Sequence, residues 1–331
     1  MTAPTLALAT VTACVSKAGD AGSPMDAHPD GTYDSGLHSD TDAGPDSDTD
    51  RVGDSDVDTL LDTGSDTAVD TAMDTAADAA GDFVKVRAST FLMGCTAGQK
   101  ECYPQETEHG VTLTHTYYVG VNEVTQGQFL TLMGYNPAYF TDCNGHGPDD
   151  CPVERVSWYE SAAYANALSD AAGLTSCYAC IGSGSGVECE AAMNPYDCEG
   201  YRLLTEAEWE GAARCGTDLL YAGSDDSLAV AWTSENSSGA QTVAGLASNA
   251  CGVHDMSGNL WEWTHDWEGD YDPGPVTDPV GPESGTDRIY RGGDWGDPAL
   301  SAARVAYRIG LAPQVSTHSL GFRLARTAPG G

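Results

Sequence analysis

Residues 83 to 94 alternate apolar and polar positions up to Gly94, and residues 111 to 124 repeat the pattern. A period of two places one side chain in and the next out, which predicts a strand in each stretch. Ser157-Trp158-Tyr159-Glu160 sets a hydroxyl three residues ahead of a carboxylate, followed by Ala162, Ala163, Tyr164, Ala167 and Leu168. That is the spacing of a reciprocal N-terminal cap, and it predicts a helix over about 158 to 172. Thr205-Glu206-Ala207-Glu208 repeats the signature before Trp209, Ala212 and Ala213, which predicts a second, short helix ending near Gly216. A third runs from Gln126 to Met133. Between these elements, 141 to 154, 178 to 200 and 265 to 287 are rich in Gly, Asn, Asp and Pro. The pattern is that of an irregular, loop-rich α+β domain. Trp261 and Trp263, two apart, share one face of an extended segment and read as core.

No such pattern exists before residue 83. Of the 7 Trp, 15 Tyr and 5 Phe, all but Tyr33 lie after position 82, so only 83 to 331 can bury a sizeable interior. Residues 15 to 82 read as a disordered Asp-rich linker. Asp recurs at 54, 58, 62, 66, 70, 74, 78 and 82, a spacing that would stack like charges along a helix. Asp46, Asp48 and Asp50 alternate like calcium-loop ligands, but Arg51 follows where such a loop needs Gly. The whole chain carries 50 acidic and 14 basic groups, a net charge of −36. Such a surface repels phosphate backbones, which excludes nucleic acid as a partner, and it favours cationic ones. No apolar run approaches the ~20 residues of a membrane-spanning helix.

The chain opens on a short apolar stretch, Met1 to Ala13, and Val11-Thr12-Ala13-Cys14 has the small-residue pattern that precedes the acceptor cysteine of bacterial lipoproteins. Residues 1 to 14 are therefore expected to be a signal and lipobox, with Cys14 lipidated and the product exported, anchored through its lipid and facing the periplasm or the cell surface. The alternative is an unstructured start with an incidental cysteine. Ten cysteines remain beyond Cys14, an even number that suits disulfides in an oxidising compartment. Sequence-near partners give Cys95 with Cys102, Cys143 with Cys151, Cys180 with Cys189, Cys177 with Cys198, and Cys215 with Cys251. Cys177, Cys180, Cys189 and Cys198 also offer four thiolates for zinc, at a spacing poor for that ion.

Several segments in order resemble one family. They are Phe91-Leu92-Met93-Gly94, Glu123-Val124-Thr125, Pro152-Val153 with Val156-Ser157-Trp158, and Tyr201-Arg202-Leu203-Leu204-Thr205-Glu206-Ala207-Glu208-Trp209-Glu210. They continue with Gly252-Val253-His254-Asp255-Met256-Ser257-Gly258-Asn259-Leu260-Trp261-Glu262-Trp263, Arg291-Gly292-Gly293 and Gly321-Phe322-Arg323. Together they look like the formylglycine-generating enzyme, or sulfatase-modifying factor, domain over 83 to 331. The resemblance implies a C-type-lectin-like fold that binds calcium. It carries a calcium loop onto the side chains of Asp255 and Glu262 and the carbonyls of Gly258 and Leu260. Well-studied members also oxidise a substrate cysteine to formylglycine with oxygen and a copper ion held by a Cys-x4-Cys pair shortly after the Arg-Gly-Gly motif. Here that stretch reads Asp294-Trp295-Gly296-Asp297-Pro298-Ala299-Leu300-Ser301-Ala302-Ala303, without a cysteine. Copper(I) needs soft ligands, and this segment offers carboxylates.

Two functions follow as expectations. The first is a monomeric, calcium-bound binding module without the copper-dependent oxidase, holding a peptide, protein or glycan in a cleft near Asp294, Trp295 and Asp297. Arg304, Arg308 and Arg323 read as structural ion-pair partners, with the floor of that cleft as the alternative place for Arg304 and Arg308. The carboxylates there suit a basic group and the indole supplies contact area. The second is an active family oxidoreductase with a metal site that lacks cysteine; iron at His254-Asp255 or His265-Asp266 stays open. No Gly-x-Ser-x-Gly, His-Glu-x-x-His or phosphate-binding glycine loop is present.

Overall fold

The computed structural model describes residues 82–96 and 98–329. Cys14, the expected leader and the acidic linker as far as residue 81 lie outside the described residues.

Both predicted long strands form, and both break. Phe83–Val86 pairs antiparallel with Tyr117–Gly120, whereas Ser89–Met93 pairs antiparallel with His109–Leu113. The two breaks face each other across the register, between Val86↔Tyr117 and Ser89↔Leu113, because the hairpin leaves one sheet there and enters another. Thr114 marks the corner. Its amide and hydroxyl both donate to Asp278, at 2.7 and 2.5 Å.

The first half joins a four-stranded antiparallel sheet with Leu324–Thr327 and Tyr201–Leu203. The second half joins a smaller sheet, to which Val276–Thr277 adds in parallel. A third sheet orders Arg308–Leu311, Arg288–Arg291, Trp261–Trp267 and Leu320–Phe322, the last strand parallel to its neighbour. Two stretches expected as loop thus contain strand. Residues 178 to 200 hold the hairpin Tyr178–Ile181 with Glu188–Ala191, and residues 265 to 287 begin inside Trp261–Trp267.

The three predicted helices are α1 (Gln126–Met133), α2 (Trp158–Ala171) and α3 (Glu206–Arg214). Each opens on a reciprocal cap, Thr125 with Gln128, Ser157 with Glu160, and Thr205 with Glu208. Two otherwise orphaned amides are satisfied in each case. The core beneath them holds Trp158, Trp209 and Trp263, all fully buried. Phe129 of α1 stacks on Tyr164 of α2 at 5.4 Å, and Phe322 meets Tyr164 edge-on at the same distance.

Charge is buried along with the aromatics, and α3 is the hub. Glu206 and Glu210, four apart, share one face of the helix and Glu208 lies on the opposite side, and each meets a buried arginine. Glu208 takes Arg202 at 2.6 and 2.8 Å, Glu206 takes Arg308 at 2.7 Å through both oxygens, and Glu210 takes Arg291 and Arg214. The charges compensate one another where no water can reach them. Five disulfides, Cys95–Cys102, Cys143–Cys151, Cys177–Cys198, Cys180–Cys189 and Cys215–Cys251, fasten the loops. These are the pairs expected from sequence proximity, and they leave no thiolates for zinc at Cys177, Cys180, Cys189 and Cys198.

Candidate functional site

The segment after Arg291-Gly292-Gly293 turns sharply. Gly292 and Gly293 both have positive φ, at 99° and 74°, and a Cβ on Gly293 would lie 2.8 Å from the Ala302 carbonyl carbon. The chain then exposes part of Asp294, Trp295 and Asp297. Asp294 accepts from the Gly296 amide at 2.6 Å, and Asp297 takes a hydrogen bond from the Trp261 side chain. Burial and the neighbouring Asp294 hold the Asp297 carboxyl above its usual range.

Aromatic rings gather at this segment. Trp295 meets Phe140 at 5.9 Å and His318 at 5.8 Å, both edge-on, and Tyr139, 65% exposed, packs on Phe140 at 4.9 Å. Trp261, the hydrogen-bond partner of Asp297, lies 4.8 Å from Tyr290 and 5.8 Å from Tyr307. Offset and edge-on pairs of this kind hold rings in fixed orientations. The Trp295 Nε1 atom is buried without a hydrogen-bond partner. Sequence reasoning found Trp295 but missed Tyr139, Phe140 and His318. The adjacent aromatic pair Tyr139-Phe140 in a loop was the available signal.

Glu154 positions that loop. Its Oε1 accepts the Phe140 amide at 2.8 Å and the Tyr139 amide, while Oε2 is buried and unpaired. Burial pushes its carboxyl from 4.5 up to about 7.

Arg304 and Arg308 form buried ion pairs, the first of their two readings, and do not reach the cleft floor of the alternative. Arg304 makes a bidentate pair with buried Glu106 at 2.8 and 2.9 Å, between the rings of Tyr103 and Tyr307. Arg308 is spent on Glu206 and the Gly269 carbonyl. Drawing either guanidinium away would leave a buried carboxylate unpaired, so neither arginine is free for a ligand.

The residues expected to form a calcium loop lie in a buried charged network. Asp255 adopts φ 57° and accepts from the Ala244 amide at 2.7 Å; burial, with Glu262 adding, raises its carboxyl from 3.8 to about 6. Glu123 is raised well above the usual range by burial and by the charges of Asp255 and Glu262. Arg323 is the guanidinium that opposes all three. Gly258 is required twice over, by its φ of 76° and because a Cβ there would run into the Trp232 backbone. Glu262 differs from expectation: both oxygens accept from Arg323, at 2.6 to 2.9 Å, and Oε2 also accepts from Trp209 at 2.8 Å. Among the described residues, the one tight His, Cys, Asp and Glu cluster is Cys95, Cys102 and Glu106, and there the sulfurs form a disulfide and Glu106 holds Arg304.

The two His-Asp neighbours proposed for iron do not form such a cluster. His265 is buried against Tyr178 and Trp158, and burial with Arg288 and Arg202 pushes its imidazole from 6.5 down to about 3. Asp266 beside it moves the other way, from 3.8 up to about 8, through burial first and Glu206 second. The two give opposite pH dependences. The neutral His265 favours folding above 6.5 and that contribution is lost as pH falls toward 3. The raised carboxyls of Asp266 and Glu154 favour folding at low pH, and theirs is lost as pH rises through 8 and 7. Asp266→Asn keeps an acceptor for the Glu206 amide but abolishes one titration. Urea unfolding at pH 5 and pH 8 should show the variant gaining on the parent by up to roughly 1 kcal/mol per pH unit. A pH-independent difference would contradict this.

The copper implied by the family resemblance does not fit these residues. All ten cysteines of the domain are in disulfides, and the segment beyond Gly293 presents Asp294 and Asp297.

The family model for the sulfatase-modifying factor enzyme 1-like domain matches residues 69–328. Chaperone protein LppX of Paenibacillus barcinonensis is 30% identical over 231 residues, 61% of this chain and 76% of its own. The formylglycine-generating enzyme of Streptomyces coelicolor is 34% identical over 149 residues, and the match spans 39% of this chain and 48% of that enzyme. With some other curated relatives the match spans 37% of their length or less, down to 21%. Among solved structures, Treponema denticola variable protein 1 superposes with a TM-score of 0.66 at 31% identity, over 74% of this chain and 95% of that one. Fold, motif order and these likenesses agree, and the chain belongs to the sulfatase-modifying factor enzyme 1-like domain family.

Proposed function

We propose that the chain is an exported binding module of this family, without copper-dependent cysteine oxidation, that holds a peptide, protein or glycan bearing a basic group at the Asp294–Asp297 segment. The observation that carries this reading is the gathering of Tyr139, Phe140, Trp295 and His318 beside two half-buried carboxylates, in place of the thiolates the oxidase requires. Aromatic faces supply contact area at small conformational cost, and the acidic pair selects a cation. Five disulfides support an oxidising compartment, and membrane attachment through Cys14 completes the proposal. Screening the full chain against glycan and cationic-peptide arrays tests it. Trp295→Ala should weaken any captured ligand at least tenfold. Equal capture by the variant would place the binding elsewhere.

Calcium belongs to the same proposal, with Asp255, Glu262 and the carbonyls of Gly258 and Leu260 as ligands. Its support is electrostatic: three buried carboxylates against one guanidinium leave a negative excess that a hard divalent cation offsets. Calcium competes with Arg323 for Glu262. A calcium concentration of 100 times Kd should stabilise the domain by about 2.7 kcal/mol over chelator-treated protein. An unchanged melting temperature would mean that Arg323 closes the network alone.

A further inference from the structure

A second concavity, of about 500 Å³, lies where the chain leaves the strand Trp261–Trp267, and none of Asp294, Trp295 and Asp297 lines it. Part of its wall is apolar, formed by Met93, Val276, Val280 and Pro282 with Trp267 beside them, and His109, Tyr271 and Thr277 line it as well. Arg308 and Glu206 line it too, but they neutralise each other through two 2.7 Å bonds, and Tyr271 donates to Glu206 at 3.0 Å. Arg288, close to Asp266 in charge terms, is clamped between the rings of Trp158 and Trp267 at 3.9 and 3.6 Å.

One buried carboxylate in the cavity keeps an oxygen open to it. Asp266 is 3% exposed, its Oδ2 accepts the Glu206 amide at 2.8 Å, and among the described residues its Oδ1 has no hydrogen-bond partner. Oδ1 lies under Gly281, whose φ is 70°; a Cβ added there would stand 3.2 Å from it, so the glycine keeps the carboxyl uncovered. Asp270 and Asp272 stand exposed at the mouth. An apolar wall beside a buried acid whose second oxygen is open, with two carboxylates at the rim, matches a cation on an aliphatic stem.

We propose that this cavity binds a primary alkylammonium group, as on the side chain of a lysine, with its stem along Met93, Val276, Val280 and Pro282 and Asp266 as its counter-ion. The carboxyl of Asp266 is held mainly protonated near neutral pH by burial and by Glu206, against Arg288 and Arg308. Tyr196, Tyr271 and His109 also adjoin this region. The incoming ammonium keeps its protons. Asp266 gives up its own to buffer and becomes the carboxylate that pairs with the ligand, so charge and protons balance.

The test is calorimetric titration of the full chain near pH 7 with n-butylammonium and with Nα-acetyl-lysine methylamide, in two buffers of different ionisation enthalpy. Saturable binding with release of close to one proton is expected. Relative affinity of the two probes distinguishes a free amine from a lysine side chain as the source. Asp266→Asn should lose at least tenfold in affinity together with the proton release. Val280→Trp, which fills the cavity from its wall, should abolish binding in a protein that still melts cooperatively. The double substitution Asp270→Asn and Asp272→Asn should weaken binding two- to threefold and flatten its salt dependence. The proposal is overturned by absence of saturable heat in the parent, by undiminished affinity in Asp266→Asn, or by equal binding of n-butanol.

Discussion

Replacing Glu210 with alanine is expected to cost the domain about 3–5 kcal/mol, the range for breaking a buried ion pair by removing one partner. The side chain is fully buried and serves three donors at once. Oε1 accepts the Gly94 amide at 2.8 Å and Arg214 Nε at 2.9 Å, while Oε2 takes Arg291. Removing it orphans the Gly94 amide and takes from Arg291 and Arg214 their buried shared carboxylate, leaving Arg291 with Glu206 at 3.4 Å and Arg214 with the half-exposed Asp218. Arg291 also bonds the carbonyls of Val305, Ala306 and Tyr307, so the loss reaches the segment that leads toward Arg308. In a domain of this size the melting temperature should fall by roughly 10 °C. Glu210→Gln keeps shape and an acceptor and should recover part of the loss. An alanine variant within about 1 kcal/mol of the parent in urea unfolding would mean that α3 is not the electrostatic hub described above.

The second large effect is expected at Cys215–Cys251. It joins residues 36 apart in sequence, the longest separation among the five bridges. Loop-closure entropy alone gives about 4 kcal/mol for that separation. The bridge also sits where α3 ends: Cys215 caps the helix in a left-handed conformation, φ 45°, and Asn249 donates to the carbonyls of Ala212 and Ala213 at 2.7 and 3.1 Å. Without the bridge the turn around Asn249 is free to part from α3. Cys215→Ala with Cys251→Ala should therefore unfold at a denaturant concentration lower by the equivalent of about 3–4 kcal/mol. The same paired change at Cys95 and Cys102, only 7 residues apart, should cost less. Equal losses at both bridges would argue that local strain, and not chain entropy, governs their contribution.

These two predictions lie on different sides of what the sequence makes legible. The helices could be read because their caps are local: a hydroxyl and a carboxylate three residues apart satisfy each other's amides wherever the helix later packs. The disulfides followed because short loops favour near neighbours. The breaks at residues 87–88 and 114–116 could not be read, since the periodicity of two continues across them; they exist because the hairpin changes sheet. The partners of Arg304 and Arg308 were equally hidden. Glu106 lies 198 residues from Arg304, and nothing local distinguishes a guanidinium bound for a buried carboxylate from one bound for a cleft.

The candidate site shows the same division. Asp294, Trp295 and Asp297 were legible as the place where family-type cysteines are missing. The rings that flank them come from residues 139, 140 and 318, brought together only by the fold. Asp255 and Glu262 were legible as a loop signature. That Arg323 already occupies Glu262 was not, because the arginine arrives from the far end of the chain.

The central claim is that a binding segment stands where related enzymes hold copper. Elemental analysis of the full chain, purified from an oxidising compartment without chelator, tests it most directly. The account predicts calcium near one equivalent, with copper and iron at background; stoichiometric copper or iron would contradict it and return the chain to the oxidases.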